Sequence, residues 1–177
     1  MVFASVRSPL EISVAVARTS QSPNPLAEIK LTNMDHISFH GTNKQNAKKI
    51  VGPPSELDIE IGKGELGKGF YTGSSVALAA IWAQNRFSNN GAVIQFNIPA
   101  IDFVKLRGHL IKTRNDVIYN WKSLKDTNQT SEHTFGFDYI LAPFASIEES
   151  GHQFKFESKL SENQLKSCQK FVYLCES

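Results

Sequence analysis

Gly67-Lys68-Gly69-Phe70-Tyr71-Thr72-Gly73 is the stretch on which the interpretation of this chain depends. Two glycines flank a lysine and lead into an aromatic pair, which small residues follow. Because glycine carries no Cβ, such a stretch brings backbone and an aromatic ring close to a flat ligand. An upstream stretch, Phe39-His40-Gly41-Thr42, ends an apolar run with a histidine that is followed at once by a glycine. Glycine there lets a planar carboxamide approach the backbone N–H and C=O groups.

The composition is typical of a soluble globular protein. The chain has 177 residues, of which 41% are hydrophobic and 20% charged. That length suits one domain with a substantial core. The net charge of +2 is too small to indicate a nucleic-acid-binding surface by itself. No apolar run approaches the roughly 20 residues that a membrane-spanning helix needs, so we expect no membrane partner.

The domain boundary is predicted near a linker-like stretch, Ser-Gln-Ser-Pro-Asn-Pro at 20–25. We divide the chain into an N-terminal strand and linker segment, residues 1–33, and a catalytic domain, residues 34–177. Alternating apolar residues near the start favour a strand that packs on the domain. Arginines and serines in the same region also have some of the character of a transit peptide.

The pattern of apolar residues and turn signals predicts an α+β domain with several short strands in a mixed or antiparallel arrangement. Asn43 is a candidate cap for one helix, and Ser74 or Ser75 for a second helix with Val76, Ala77, Ala80, Ile81 and Ala83 on its apolar stripe. We expect a mobile loop over 55–68. Strands are predicted over 37–40, 92–98, 137–142 and 153–157, and a strand or an extended piece over 101–106. Further helices are predicted over 116–124 and 162–174, the last as a helix or a helix followed by a strand.

The cysteines and histidines do not indicate a metal site. Cys168 and Cys175 are the only cysteines, and their seven-residue offset suits one face of a C-terminal helix. No His, Cys or Asp group has zinc-ligand spacing. We therefore expect buried thiols in a reducing compartment, the cytoplasm, and no bound metal.

Three sequence motifs together resemble the ADP-ribosyltransferase superfamily, in the branch that includes diphtheria toxin and the poly-ADP-ribose polymerases. They are Phe39-His40-Gly41-Thr42, Gly67-Lys68-Gly69-Phe70-Tyr71 and Asp138-Tyr139-Ile140-Leu141-Ala142-Pro143, and their order is similar to that in small bacterial toxin-type domains. The resemblance covers roughly residues 37–165. It implies the ADP-ribosyltransferase-like arrangement of split, mixed or antiparallel β-sheets with flanking helices. It also implies that NAD+ is a substrate whose nicotinamide–ribose bond is broken.

The resemblance implies roles for individual residues in the first two motifs. The backbone of Gly41, beside Thr42, would hold the nicotinamide carboxamide, and His40 would donate to a ribose hydroxyl. Tyr71, after Gly69 and Phe70, would stack on the nicotinamide ring. Trp82 lies eleven residues beyond Tyr71 and would close the other side of the ring. Tyr71 and Trp82 could equally be core residues.

The third catalytic position is open. In the resembled family a carboxylate stands at the start of a late strand, where it stabilises the charge that develops as nicotinamide leaves. The matching residue here is Gln153, which carries no charge. Glu157 is an alternative on the same strand, and Glu148 or Glu149 in the preceding loop is another. Position favours Gln153.

The leading hypothesis is therefore a mono-ADP-ribosyltransferase toxin or effector that transfers ADP-ribose from NAD+ to a macromolecular acceptor, protein or nucleic acid. Such an activity inside a cell would need an antitoxin or inhibitor protein as a further partner. A degenerate module that binds NAD+ or ADP-ribose without chemistry is one alternative, supported by Gln153. An NAD+ glycohydrolase, which uses water as the acceptor, is another.

Overall fold

The computed structural model describes residues 34–145 and 151–175. The predictions for residues 1–33, and for Glu148 and Glu149, lie outside the described residues.

The described residues form five α-helices and nine strands. The strands are β1 (His36–Asn43), β2 (Lys63–Gly64), β3 (Gly67–Lys68), β4 (Phe70–Gly73), β5 (Gly91–Ile98), β6 (Gly108–Leu110), β7 (Tyr139–Pro143), β8 (His152–Phe156) and β9 (Gln169–Leu174). The helices are α1 (Lys44–Val51), α2 (Val76–Phe87), α3 (Ala100–Phe103), α4 (Arg114–Asp126) and α5 (Lys159–Ser167). The α+β prediction is confirmed.

Seven strands form one mixed sheet in the order β6-β7-β8-β4-β1-β5-β9, and β2 and β3 form a separate hairpin. Neighbours in the large sheet are antiparallel except β6 and β7, which are parallel. A single registered pair, Phe39 with Gly73, joins β1 to β4. From His40 onward β1 is in register only with β5 among the described strands. The sheet therefore consists of two halves, β6-β7-β8-β4 and β1-β5-β9, that meet at one point.

Helices cover both faces of this sheet. On the first face, here called the α1/α5 face, Phe70, Phe96 and Phe156 pack with apolar residues of α1 and α5. On the second, the α2/α4 face, α2 lies over β1 and β5, and α4 lies over β7. Side chains alternate between the two faces along each strand, so neighbouring residues contribute to different apolar clusters.

The helix caps predicted from the sequence are confirmed. The Asn43 side chain accepts a hydrogen bond from the N–H of Asn46, and the Ser75 side chain accepts one from the N–H of Leu78. Each cap satisfies a backbone donor that the first turn leaves without an intrahelical partner.

The apolar stripe predicted for α2 is partly wrong. Its buried residues are Ala79 and Ala83, whereas Val76 and Ile81 are 46% and 52% exposed. The sheet approaches this helix through small residues, so the large apolar side chains point elsewhere. Local periodicity does not reveal which stripe of a helix the sheet selects.

The structure corrects the predictions for residues 101–106, for residues 55–68 and for the two cysteines, and it confirms one of the two forms predicted for the C-terminal segment. Residues 101–106 are neither a strand nor an extended piece at their start, because α3 (Ala100–Phe103) begins directly after Pro99. Residues 55–68 contain the β2–β3 hairpin, and Leu66 within it is fully buried. The C-terminal segment is a helix followed by a strand, the second of the two predicted forms. Cys168 and Cys175 therefore lie at opposite ends of β9 as free thiols, and not on one helical face.

Candidate functional site

The three predicted catalytic residues lie on neighbouring strands in the middle of the sheet. Phe39 of β1 pairs with Gly73 of β4, and Gly73 pairs in turn with Gln153 of β8. His40 and Tyr71 lie within two residues of this row. Alternation places Tyr71 and Gln153 on the α2/α4 face and His40 on the α1/α5 face. The structure thus brings the three residues to one place, the junction of the two half-sheets, but from opposite faces.

The His40 ring lies where β1 and β4 separate. Its Nδ1 lies 2.7 Å from the carbonyl oxygen of Tyr71, and its ring centroid lies 4.4 Å from that of Phe70. Because the carbonyl can only accept, Nδ1–H is the donor. Burial lowers the pKa of His40, so the ring is neutral near pH 7 and Nε2 is an acceptor. In this state Nε2 can accept a hydrogen bond and cannot donate one, which differs from the donor role predicted for His40.

Gly41 lies against α2, and its lack of a side chain is what permits the contact. A Cβ at this position would lie 2.4 Å from the carbonyl oxygen of Ala79 and 3.2 Å from Cε3 of Trp82. Trp82 is 48% exposed, although indole is a large apolar group. The Arg86 guanidinium lies 5.3 Å from its ring centroid. The structure therefore places an accessible indole beside the Gly41 backbone, while Thr42 is buried.

Tyr71 holds the β2–β3 hairpin. Its hydroxyl donates to the carbonyl oxygen of Gly67 at 2.6 Å and accepts from the N–H of Leu66 at 3.2 Å. A Cβ on Gly64 would lie 2.8 Å from Cζ of the ring and 3.1 Å from both Cε atoms, so Gly64 covers one ring face. Burial raises the pKa of the phenol, which keeps it protonated as a donor. The ring also packs against the apolar cluster on the α2/α4 face, and it makes no direct contact with Trp82 among the described ring pairs.

Two other residues of the glycine-rich motif, Gly69 and Phe70, contribute to packing. Gly69 has a positive φ of 157° and lies against β8, where a Cβ would come within 2.7 Å of the carbonyl oxygen of Phe156. Phe70 is 8% exposed and belongs to the core on the α1/α5 face. The Phe70 ring contacts the His40 ring, with 4.4 Å between the two centroids.

Gln153 is buried, with 2% of its surface exposed, and its amide is held at two points. Nε2 lies 2.9 Å from Oε2 of Glu65 and 3.0 Å from the carbonyl oxygen of Pro143. The same Glu65 oxygen accepts from the N–H of Ala145 at 2.7 Å. Sequence reasoning missed Glu65, which lies in the polar segment that was predicted to be a loop. Its only sequence signal is its place two residues before Gly67, where the glycine-rich motif begins.

Glu157, the alternative third residue, is used elsewhere. Its Oε2 lies 2.6 Å from Nζ of Lys155, and both side chains are at most 1% exposed. Its Oε1 accepts from the N–H groups of Phe135 and Phe137 at 2.8 and 3.0 Å. Lys155 also donates to the carbonyl oxygen of Leu66 at 2.8 Å. This buried pair therefore joins the hairpin and the 135–137 segment to β8.

Within residues 34–145 and 151–175, no group of three His, Cys, Asp or Glu side chains is placed to hold a metal ion. In the same ranges no helix has the length and apolar character required to cross a bilayer. No family model matches the chain, and no curated protein matches it significantly.

Proposed function

We propose that this protein is a mono-ADP-ribosyltransferase of the toxin or effector type, which cleaves the nicotinamide–ribose bond of NAD+ and transfers ADP-ribose to a protein or nucleic acid. The observation that carries the proposal is that residues from motifs far apart in the sequence lie close together in the fold. Gly41, Tyr71 and Gln153 come from strands far apart in the chain and lie around the single pair that joins the two half-sheets. The proposal places the reaction in the cytoplasm, restrained by an antitoxin or inhibitor protein.

In this proposal the nicotinamide ring lies beside Gly41 and Trp82. A half-exposed indole next to open strand edge is suited to stacking on a flat ring, worth about 0.5–1.5 kcal/mol beyond area burial. The Gly41 backbone would pair with the carboxamide. Tyr71 would border the site from the other side, with its hydroxyl holding the hairpin in place.

The ribose would be held through acceptors. Oε1 of Gln153 would accept a hydrogen bond from a ribose hydroxyl on the α2/α4 face, and Nε2 of the neutral His40 ring would accept one from the opposite face where β1 and β4 separate. When the C1′–N bond breaks, its electron pair leaves with nicotinamide, and C1′ becomes electron-poor. Acceptors that concentrate negative charge near the ribose stabilise that state. The acceptor nucleophile then forms the new bond to C1′ and loses its proton to solvent.

The test is incubation of the purified protein with NAD+ labelled on the adenylate phosphate, in the presence of cell lysate separated into protein and nucleic-acid fractions. We expect label in one fraction, together with free nicotinamide. Trp82→Ala and His40→Ala should abolish the transfer while the fold is retained. Tyr119→Ala is the matched control, because Tyr119 is 79% exposed on α4, the helix that lies over β7. Equal transfer by Trp82→Ala, His40→Ala and the control would refute the site.

A binding module without chemistry is the second candidate, and one observation favours it. The residue at the third position is an amide, and the nearby Glu157 carboxylate is committed to Lys155. NAD+ binding without nicotinamide release would establish this alternative. Release of free ADP-ribose without labelled macromolecule would instead establish an NAD+ glycohydrolase.

A further inference from the structure

The orientation of the Gln153 amide is determined by its partners. Both groups that meet Nε2, the Glu65 carboxylate and the Pro143 carbonyl, are acceptors. An amide oxygen in that position would face two other oxygens, so the nitrogen must occupy it. Both N–H bonds are thereby used. Oε1 is the remaining polar atom, and it accepts no hydrogen bond from the described residues.

Glu65 is itself held in place from both sides. Its Oε2 accepts from the Ala145 N–H just beyond β7, and its neighbour Leu66 is tied down at both backbone polar groups. The Leu66 N–H donates to the Tyr71 hydroxyl, and the Leu66 carbonyl accepts from Lys155. The hairpin therefore presents the Glu65 carboxylate to β8 in one position.

We propose that Glu65 is a positioning residue for Gln153, and that the two side chains together do what a single carboxylate does in related chemistry. The inference rests on the proposed function. Glu65 holds the amide so that Oε1 is available to accept from a ribose hydroxyl. Its negative charge also polarises the amide, since a hydrogen bond to a carboxylate in a buried setting strengthens the next bond in the chain. The pair carries one negative charge, as a lone carboxylate would.

The pairing explains why an uncharged residue can occupy the third position. Gln153 alone could rotate its amide and offer N–H groups, which are donors and cannot stabilise positive charge at C1′. With Glu65 in place that rotation would bring oxygen against oxygen at 2.9 Å. In this arrangement the negative charge lies on Glu65, and Gln153 stands between that charge and the ribose.

The experiment compares Glu65→Gln with Glu60→Gln, using nicotinamide release from NAD+ by the full chain. Glu65→Gln keeps the shape of the side chain and removes its charge. Glu60→Gln makes the same change in the same segment, at a 50% exposed side chain that pairs with Lys68. We expect kcat to fall by about 10²-fold in Glu65→Gln, the order seen when one stabilising group of a charged transition state is lost, with KM for NAD+ nearly unchanged. Glu60→Gln should match the wild type.

A double variant separates positioning from mere structural support. Gln153→Glu alone places two carboxylates together and should be as impaired as Glu65→Gln. Combining Glu65→Gln with Gln153→Glu restores one charge and one donor–acceptor contact, although the Pro143 carbonyl still faces an oxygen, so kcat should recover in part and exceed that of Gln153→Glu alone. Absence of recovery would overturn the inference, even if Glu65→Gln had lost activity by misfolding.

The outcomes also separate this inference from the proposed function. A wild-type protein that releases no nicotinamide would refute the proposed function. Wild-type release with equal kcat in Glu65→Gln and Glu60→Gln would overturn the role of Glu65 alone.

Discussion

Replacing Lys155 by methionine tests the buried ion pair that fastens the hairpin to the sheet. Nζ of Lys155 contacts Glu157 at 2.6 Å and donates to the carbonyl oxygens of Leu66 and His133 at 2.8 and 3.3 Å. Methionine fills a similar volume but provides none of these contacts. The substitution therefore leaves a buried carboxylate without its cation and the Leu66 carbonyl without the Lys155 donor, while the His133 carbonyl keeps the Lys68 N–H at 3.0 Å.

The expected loss follows from the burial of the pair. Both side chains are at most 1% exposed, so solvent cannot replace the missing partner. Removing one member of a buried ion pair costs about 3–5 kcal/mol of unfolding free energy. For a domain of this size that corresponds to a fall in Tm of roughly 6–20 °C. Changing both residues, Lys155→Met with Glu157→Gln, should recover part of the loss because no charge is stranded.

The assay is urea denaturation and thermal melting followed by circular dichroism, with Lys68→Met as the matched control. Lys68 pairs with Glu60 at 2.6 Å in the same hairpin region, but the side chains are 26% and 50% exposed. Loss of such a surface pair costs at most about 1 kcal/mol. A Lys155→Met variant no less stable than Lys68→Met would refute the reasoning about the buried pair.

The remaining predictions concern the sheet and its junction. Burial lowers the pKa of His36 to about 4, so between pH 7 and pH 5 only the unfolded state takes up its proton, and the unfolding free energy falls by about 2 kcal/mol. His36→Phe should flatten that dependence in denaturation at the two pH values, and an unchanged slope would contradict it. Gly41→Ala should lower the unfolding free energy by about 1–3 kcal/mol, because its Cβ would overlap α2. A Cβ on Gly73 would lie 3.4 Å from its nearest atom, so Gly73→Ala should lower the unfolding free energy less in the same thermal melt. Tyr71→Phe removes the hydroxyl that bonds the hairpin and should cost about 1–3 kcal/mol, with faster proteolysis in 62–68 as the readout. Wild-type proteolysis rates in that variant would show that the hydroxyl does not hold the hairpin.

The elements that were predicted well depend on neighbouring residues. The caps at Asn43 and Ser75 and the alternating strand β5 (Gly91–Ile98) follow from side chains within four residues of each other. The short helix α3 (Ala100–Phe103) was missed because four residues are too few to show a helical period.

The candidate site divides in the same way. The sequence alone indicated His40 and Gly41, because they belong to a short motif of chemically distinctive residues. It could not find Glu65, because the contact with Gln153 joins residues far apart in the chain. Nor could it show that Glu157 is occupied by Lys155, since spacing along a strand says nothing about what packs over its end.

The sequence by itself determined the fold class, the helix caps and the motifs whose residues lie at the junction of the half-sheets, because these depend on local backbone preferences and residue type. Only the tertiary structure decided which polar groups meet. The Glu65–Gln153 contact, the Lys155–Glu157 pair and the bond from Tyr71 to the hairpin all form when separate segments close over the sheet. Burial then makes each partner necessary to the other, since a buried polar group without a partner is costly.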